Sequence, residues 1–336
     1  MNMAKFIHLK QNDDWKPFVQ LFEHLDAYYD PVYVKLMAAK DQGTAEAVYF
    51  EKNGTRIFYP FIKCPYLEFF DIVTPYGYGG PVVEGDLSLL KDFYSHINQL
   101  AKEQGIITEK IKCHPLLTPA KELSEIMELE NVQQTTAVDL TSSYEEIRQG
   151  YSSSNKRNIN KAKRKGVQVI VDEDLRYLKD FQHLYEETMT RNEADTSFYF
   201  PDVYYEEQMK ESILYEPKLL IARHEGKTIA GAIVLLGKQW AHYHLGASSS
   251  EFLPLRANNL LFDEMVQYCQ KQGHSLLHLG GGTGGNDGLF RFKSSFTNGN
   301  HFDFKIAKHV LDQDLYRQLT KNKTSQQQHF FPGYRY

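Results

Sequence analysis

The sequence predicts a mixed α/β fold made of two similar halves. Each half carries a β-hairpin signal, two β-rich runs around a turn that contains glycine. Later in each half, a helical run ends at a glycine and leads directly into a strand. The hairpins are Ala45–Phe50 with Arg56–Ile62 around Gly54, and Leu219–Ala222 with Thr228–Leu236 around Gly226; the helices are Leu89–Gln104 before Gly105, and Asn258–Gln272 before Gly273.

The spacing of these signals favours an ancient duplication. Gly54 and Gly226 are about 170 residues apart, and so are Gly105 and Gly273. The simpler alternative is that any α/β protein contains hairpins and strands that follow helices. We expect an N-terminal domain over residues 1–145, a C-terminal domain over 146–320 and a loosely attached tail over 321–336.

Composition narrows the class of protein. The 336 residues are 42% hydrophobic and 13% aromatic, so we expect a folded chain of roughly two domains. A net charge of −5 argues against a protein that coats nucleic acid, although a local basic patch stays possible. Three widely spaced cysteines fit a reducing cytoplasm. No apolar run is long enough for a transmembrane helix, so we expect a cytoplasmic protein.

The segment from His274 to Phe296 carries the strongest functional signal. An apolar strand runs into Gly280, Gly281 and Gly282, and Lys293 follows in an aromatic frame. Consecutive glycines suit a backbone that bends sharply or approaches a ligand closely, so Gly281 and Gly282 are candidate substrate-binding positions. The alternative is a glycine-rich surface turn with a solvated lysine.

A dinucleotide fingerprint is a poor explanation of these glycines. Gly280, Gly282 and Gly285 match its spacing, but the segment lies near the C-terminus. It also runs into Gly288-Leu289-Phe290, which looks like a strand or short turn instead of the helix that the fingerprint requires.

A basic helix is predicted over Asn155–Lys165, which holds six basic residues and no acid. At helical spacing, Arg157 and Lys161 share a face with Arg164 or Lys165. Such a face suits phosphates, whether of a nucleotide, a pyrophosphate-linked lipid or an RNA backbone. The alternative is a solvated amphipathic helix anchored by Ile159 and Ala162.

His242 and His244 alternate along a predicted strand and are expected to point the same way, with Tyr243 on the opposite side. No clear third ligand accompanies them, so we expect no metal site. They are candidates for cleft-facing hydrogen-bonding residues or a general base, or are ordinary strand histidines.

Two loops complete the candidate set. Asp71–Val82 contains Tyr76 and Tyr78 between turn residues, spaced to line a groove, unless they simply cap the core. Thr188–Tyr205 is polar and aromatic, with Arg191 at a helix end and Pro201 placed to start a new helix. Both are interpreted as ligand-binding loops.

Together these segments resemble the FemABX-like branch of the GNAT acyltransferase superfamily, whose members carry two GNAT-type domains in tandem. The resemblance covers residues from about 45 to 310 and is most specific in the C-terminal half. The matching segments, in order, are TPYGYGGPV, SSSNKRNINKAKRKGV, HYHLGASS, the helix Asn258–Gln272, LHLGGG and FRFKSSF.

The resemblance implies two mixed α/β GNAT-like domains that face a shared cleft, without the coiled-coil arm of larger members. Typical members transfer an amino acid from aminoacyl-tRNA to the amine of a peptidoglycan precursor. It implies that Lys293 stabilises the oxyanion of the transferred carbonyl and that Tyr204 helps to hold the acceptor. Phe200 stands where a characterised type of member has a phosphate-binding arginine.

The expected activity is therefore N-acyl transfer without a tightly bound cofactor. The donor is aminoacyl-tRNA or acyl-CoA, and the acceptor is an amine, possibly of a nucleotide- or lipid-linked muropeptide. Aminolysis of an activated ester needs positioning, oxyanion stabilisation and proton removal, but no nucleophilic triad. The segment SSSEFLPLRANN lacks the glycines of a typical acetyl-CoA loop, which favours tRNA; the net acidity and the missing arm favour CoA. A catalytically silent RNA- or glycan-binding module is a further alternative.

Overall fold

The computed structural model describes residues 4–282, 284, 287–324 and 330–335. The chain forms two compact units, residues 1–132 with 303–336, and residues 133–302. The two units are similar in construction, and each is built on a series of paired strands.

The first unit contains a sheet with strand order β1-β2-β3-β4-β6-β13 and with β5 paired to β3. Strands β7 and β13 both run through the points where the chain passes from one unit to the other. The elements up to β7 are β1 Lys5–Leu9, α1 Lys16–Val19, α2 Pro31–Lys40, β2 Thr44–Lys52, β3 Thr55–Tyr66, β4 Phe69–Val73, β5 Val82–Glu84, α3 Leu90–Gln104, β6 Ile106–Lys112, α4 Ala120–Leu123 and β7 Glu128–Asp139.

The second unit has the strand order β7-β12-β11-β10-β9-β8. Its helices flank this sheet and include the predicted basic helix, α6. The elements are α5 Tyr144–Gln149, α6 Ser153–Arg164, β8 Gln168–Val171, α7 Leu178–Arg191, α8 Asp202–Gln208, β9 Tyr215–His224, β10 Lys227–Gly237, β11 Trp240–Ser248, α9 Ala257–Lys271, β12 Leu276–Gly280 and α10 Gly288–Ser294, followed by β13 His301–Val310 and α11 Gln313–Thr320.

The predicted hairpins and helices are confirmed in both units. The hairpins β2–β3 and β9–β10 are antiparallel, and each is followed by a strand, a helix of 15 residues and a further strand. The strand before the helix pairs in parallel with the strand after it, β4 with β6 and β11 with β12. Gly105 ends α3 in the left-handed conformation (φ 66°), as the sequence predicts.

Each unit has its own hydrophobic core. In the first, Phe93 and Ile97 of α3 pack in one cluster with sheet residues such as Ile111 of β6. In the second, α6 and α9 supply Ile159, Met265 and others to a core shared with the sheet. Burial of these apolar stripes stabilises each unit by about 25 cal/mol for each Å² of apolar surface removed from water.

The observed division of the chain differs from the predicted boundaries. The first change of unit falls at Val132/Gln133, within β7, and not near residue 145. Residues 303–320, predicted as part of the C-terminal domain, belong to the first unit, where β13 pairs with β6 over Ile306–Val310. A strand that passes from one unit to the next carries no local breaking signal, so the sequence pattern placed the boundary at the later serine-rich turn.

The predicted loose tail is wrong for its described end. Tyr334 is 1% exposed, and its hydroxyl donates to the buried carboxylate of Asp71. Arg335 Nε donates to the other oxygen of Asp71 at 2.6 Å, and Thr108 Oγ1 donates to the first at 2.6 Å. The ring of Tyr66 lies 4.7 Å from that of Tyr334. The residues that receive the tail are distant in sequence, so composition alone did not reveal this contact. The glutamines within 325–329 lie outside the described residues.

Among the described residues, no helix has both the length and the apolar character needed to cross a bilayer.

We expect Arg335→Ala to lower the free energy of unfolding by about 2 kcal/mol, because Asp71 would lose the cation that compensates its burial. Urea denaturation of the full chain measures this change. The control is Gln318→Ala, at an exposed position of α11, where we expect a change within about 0.5 kcal/mol. A value for Arg335→Ala no larger than that of the control would contradict the account.

Candidate functional site

The candidate site begins where two parallel strands of the second unit separate. Strands β11 and β12 pair only over Trp240–His242 and Leu276–His278. Beyond His242, β11 continues to Ser248 with β10 as its partner, and the register shifts so that His244 is left out as a bulge. The β12-facing edge of β11 is therefore left without a strand partner among the described residues. An unpaired edge offers N–H and C=O groups to a ligand.

The first unit lacks this separation. Its equivalent strands pair over Phe70–Val73 and Ile106–Lys110, and the pairing is prolonged beyond Val73. Thr74 N donates to Lys110 O at 3.2 Å, and Gly79 N donates to Lys112 O at 2.8 Å. The strand–helix–strand motif thus occurs in both units. Its two parallel strands stay paired in the first unit and separate in the second.

Lys293 lies in α10, a helix whose N-terminus is capped by the side chain of Asp287. The side chain is buried, at 6% exposure, and Nζ donates to Gly281 O at 2.7 Å. Nζ also lies 5.2 Å from the centroid of the Tyr243 ring, a cation–π distance. Burial lowers the pKa of Lys293 to about 8, against the opposing pull of Asp287. Within the described part of the chain the lysine is buried and has no carboxylate as a direct partner, so its charge can act on a ligand.

The glycines before Lys293 are required by close contacts within the protein. A Cβ on Gly281 would lie 2.9 Å from Gln133 Nε2 and 3.0 Å from Gln134 O, and one on Gly282 would overlap the Asp287 carboxylate. The prediction that Gly288-Leu289-Phe290 is a strand or turn is wrong, because these residues begin α10. Gly285 lies outside the described residues.

Tyr204 and His244, which are 40 residues apart in sequence, are in direct contact. The Tyr204 hydroxyl lies 2.7 Å from His244 Nε2 and 3.2 Å from Gln208 Oε1. Phe200 stacks on Tyr204, with 4.1 Å between ring centroids. Burial, with a smaller effect of nearby His242, lowers the pKa of His244 to about 3. His244 therefore stays neutral and would be a weak base.

His242 is fully buried and lies on the same strand. Its ring is 5.4 Å from that of His278, which faces it across the parallel pair. Tyr243 and Lys293 lie on the face of β11 that packs on α9 through Phe262, whereas His242 lies on the opposite face, so the structure does not bring the predicted histidines and the lysine together on one face.

A cleft of about 280 Å³ opens between the end of β11 and the start of α9. Ser248 and Ser249 form one wall, and Arg256 with Asn258 forms another. Arg256 has φ 64°, a conformation that usually favours glycine, and no side chain caps the first N–H groups of α9. The cleft therefore forms although the sequence lacks the glycines of a typical pyrophosphate loop.

The basic helix α6 lies beside this cleft. Its buried residue Asn155 accepts a hydrogen bond from Asn259 of α9 at 2.5 Å, and Asn158 lines the cleft itself. Lys163 is paired with Glu264 at 3.3 Å, but Arg157 and Lys161 have no ion pair within the described part of the chain. The predicted core anchors, Ile159 and Ala162, are both buried.

Arg191, a predicted substrate ligand, bonds to the wall of the cleft. Nη1 donates to Ser248 O at 2.9 Å and to Ser250 Oγ at 2.8 Å. Sequence reasoning did not single out these serines, nor Arg256 or Tyr243, because their roles depend on the strand separation and on the bulge at His244.

Tyr76 and Tyr78 belong to an aromatic cluster of the first unit. The Tyr78 ring lies 5.4 Å from that of Tyr28 and 5.5 Å from that of Phe304. The Tyr33 hydroxyl donates to Tyr76 O at 2.8 Å. Burial raises the pKa of Tyr76 to about 12 and that of Tyr78 further. These contacts fit the alternative of core-capping tyrosines better than a free groove.

Comparison with known proteins agrees with this architecture. Residues 152–294 match the acetyltransferase (GNAT) domain family. The fold is similar to the crystal structure of FemX (TM-score 0.71, 14% identity, 94% of this chain and 99% of that one). It is also similar to the C-terminal domain (DUF2156) assigned to a lysylphosphatidylglycerol synthetase of Agrobacterium fabrum (0.60, 15%, 89% and 91%).

A tandem GNAT protein of the clavulanic acid biosynthesis pathway is a further structural relative (TM-score 0.52, 11% identity, 92% of this chain and 99% of that one). At such identities the likeness concerns the fold. No curated protein sequence matches the chain. The family match shows a GNAT-type domain over residues 152–294, and the likeness to FemX and to the tandem GNAT protein shows that the chain as a whole has their two-domain fold.

Proposed function

We propose that the protein is an N-acyltransferase that moves an aminoacyl group from aminoacyl-tRNA to an amine of a cell-wall or related precursor. The observation that carries this proposal is the basic face of α6 beside the cleft at the end of β11. Both candidate donors carry phosphates, so the proposal places the donor in this cleft and along α6. It also places the reaction in the cytoplasm, where charged tRNA is found.

The extent of the basic face favours a polyanion. Arg157, Lys161 and Arg164 follow one another at helical spacing, and the last lies seven positions after the first, or roughly 10 Å along the helix at 1.5 Å per residue. That length exceeds what one pyrophosphate contacts. A nucleic-acid backbone, with a charge at each nucleotide, would neutralise the whole row.

Lys293 supplies the electrostatic part of the reaction. The acceptor amine attacks the ester carbonyl of the donor, a C–N bond forms, and negative charge develops on the carbonyl oxygen. When the intermediate collapses, the C–O bond to the ribose breaks and the amine proton leaves. The Lys293 ammonium uses one N–H on Gly281 O and has two more to offer to the oxyanion. Its desolvated position strengthens that interaction.

Water is the proposed acceptor of the amine proton, because His242 lies on the face of β11 opposite to Tyr243 and Lys293. His244 is proposed to act with Tyr204, where a neutral ring can hold the tyrosine hydroxyl in place for the acceptor. Phe200, stacked on Tyr204, offers no charge for an acceptor phosphate. We therefore propose that the site holds the acceptor, a nucleotide- or lipid-linked muropeptide, by the end that carries its amine. No tightly bound cofactor is needed for this chemistry.

An acyl-CoA donor is the second candidate. The uncapped N–H groups at the start of α9, together with Arg256, suit a pyrophosphate at the mouth of the cleft. The name of the matching family, acetyltransferase, also supports it. A third outcome, binding of RNA or glycan without transfer, is separated from both by product analysis.

We expect Lys293→Ala to lower kcat by about 10²- to 10³-fold, with little change in either KM, because the ammonium acts mainly in the transition state. Mass spectrometry of the acylated amine measures turnover with charged tRNA and with acyl-CoA in parallel. The matched control is Lys238→Ala, an exposed lysine in the turn before β11. Wild-type turnover by Lys293→Ala would contradict the assignment.

The pH profile of kcat should fall on the alkaline side near the pKa of Lys293, about 8. The ammonium is the active form, so the effect is present below this pH and is lost above it. Lys293→Arg should remove that limb, because the guanidinium stays charged beyond pH 12 or so. A wild-type kcat that rises steadily through pH 9 or so would contradict the role of the ammonium.

We expect the double variant Arg157→Ala/Lys161→Ala to bind charged tRNA more weakly. The slope of log K against log salt should become shallower by about 1.5 to 2, because two phosphate contacts are lost. The charge-matched control is Lys179→Ala/Lys238→Ala, at exposed positions on α7 and before β11. Equal slopes for the two double variants would remove the tRNA proposal, and transfer from acyl-CoA alone would establish the second candidate.

A further inference from the structure

Three side chains of the last turn of α7 form hydrogen bonds with the end of β11 and the residues that follow it. Thr188 Oγ1 accepts from Ser248 N at 3.0 Å and donates to Ser248 O at 3.2 Å. Arg191 Nη1 donates to Ser248 O at 2.9 Å and to Ser250 Oγ at 2.8 Å. Glu187 Oε1 accepts from Ser250 N at 2.7 Å and lies 3.7 Å from Arg191. We call Glu187, Thr188 and Arg191 the α7 clamp.

We propose that the α7 clamp positions the wall of the donor cleft, and that Arg191 is a positioning residue that acts on the donor through Ser248 and Ser250. The proposal deepens the proposed function and rests on it only for the identity of the donor.

The clamp takes the place of a missing strand. Ser249 N donates to Ile229 O, toward β10, at 2.9 Å. Consecutive residues of a strand direct their N–H and C=O groups to opposite edges, so those of Ser248 point to the edge where β12 no longer pairs. There they meet Thr188 and Arg191 instead of a backbone. The unpaired edge of β11 therefore ends at Ser248. A donor molecule that binds along this edge can form main-chain hydrogen bonds only with residues before Ser248.

Loss of the clamp would affect the cleft directly, because Ser248 and Ser249 line it. Without Arg191, Ser248 O loses a charge-assisted bond and Ser250 Oγ loses its donor. The loop from Ser248 to Arg256 would then sample more conformations, and each donor would bind a smaller fraction of competent molecules. The guanidinium is directed at these serines, and its side chain is 28% exposed. A direct contact of Arg191 with a donor phosphate is the competing explanation.

The test measures equilibrium binding of charged tRNA and of coenzyme A to the full chain, as wild type, Arg191→Ala, Arg191→Lys and Ser250→Ala. We expect Arg191→Ala to weaken binding of the true donor about tenfold, the effect of losing one charge-assisted hydrogen bond. Arg191→Lys should weaken it similarly, because an ammonium does not bridge Ser248 O and Ser250 Oγ as a planar fork does. The double variant Arg191→Ala/Ser250→Ala should be no weaker than Arg191→Ala.

Two controls make the result specific. Arg176→Ala removes the same charge just before α7, at an exposed position, and should leave binding unchanged. Exchange of the Ser248 and Ser250 amides, followed by NMR without any donor, should be faster in Arg191→Ala than in wild type.

Unchanged amide exchange and unchanged binding in Arg191→Ala would overturn the proposal. Full rescue by Arg191→Lys, or additive effects of the two single substitutions, would overturn it in favour of a direct phosphate contact. The proposed function would fail if wild type formed no product with either donor. In that case faster exchange of the Ser248 and Ser250 amides in Arg191→Ala would still show that the α7 clamp orders these serines.

Discussion

The site depends on a pair of parallel strands that separate after three residue pairs. Had β12 followed β11 to its end, the main-chain groups of β11 would be satisfied within the sheet and no cleft would remain. The separation leaves an edge that other groups must complete. At its far end the side chains of α7 complete it, and α9 begins beside it after the left-handed Arg256. In the first unit the same motif stays paired beyond the point at which it separates in the second.

The second constraint is the burial of Lys293. An ammonium removed from water is costly unless its donors are satisfied, and here a carbonyl and an aromatic face replace the solvent. The carbonyl belongs to Gly281, and the glycine is required there because a side chain would meet Gln133 and Gln134. The burial of Lys293 therefore depends on the glycine that supplies its hydrogen-bond acceptor. The lowered pKa follows from the same burial that makes the charge effective.

The sequence predicted what local signals encode. The hairpins, the helices α3 and α9 and the glycine that ends α3 were predicted because turn residues and helix caps act over a few neighbours. The basic face of α6 and the aromatic frame of Lys293 were visible for the same reason. The left-handed Arg256 and the clamp on Ser248 could not be predicted, because they are imposed by packing. The buried tail and the unit boundary inside β7 depend likewise on partners distant in sequence. The segment after Gly288 was misassigned because a seven-residue helix has too few turns to show a period.

The central claim is that the donor occupies the open edge of β11 between α6 and α9. Hydrogen exchange of the full chain, with and without a non-hydrolysable aminoacyl-tRNA analogue, tests it directly. The account predicts slower exchange in residues 246–259 and along α6. The control variant Lys238→Ala, substituted in the turn before β11, should show the same protection as wild type. Protection confined to other parts of the chain, with these two segments unchanged, would contradict it.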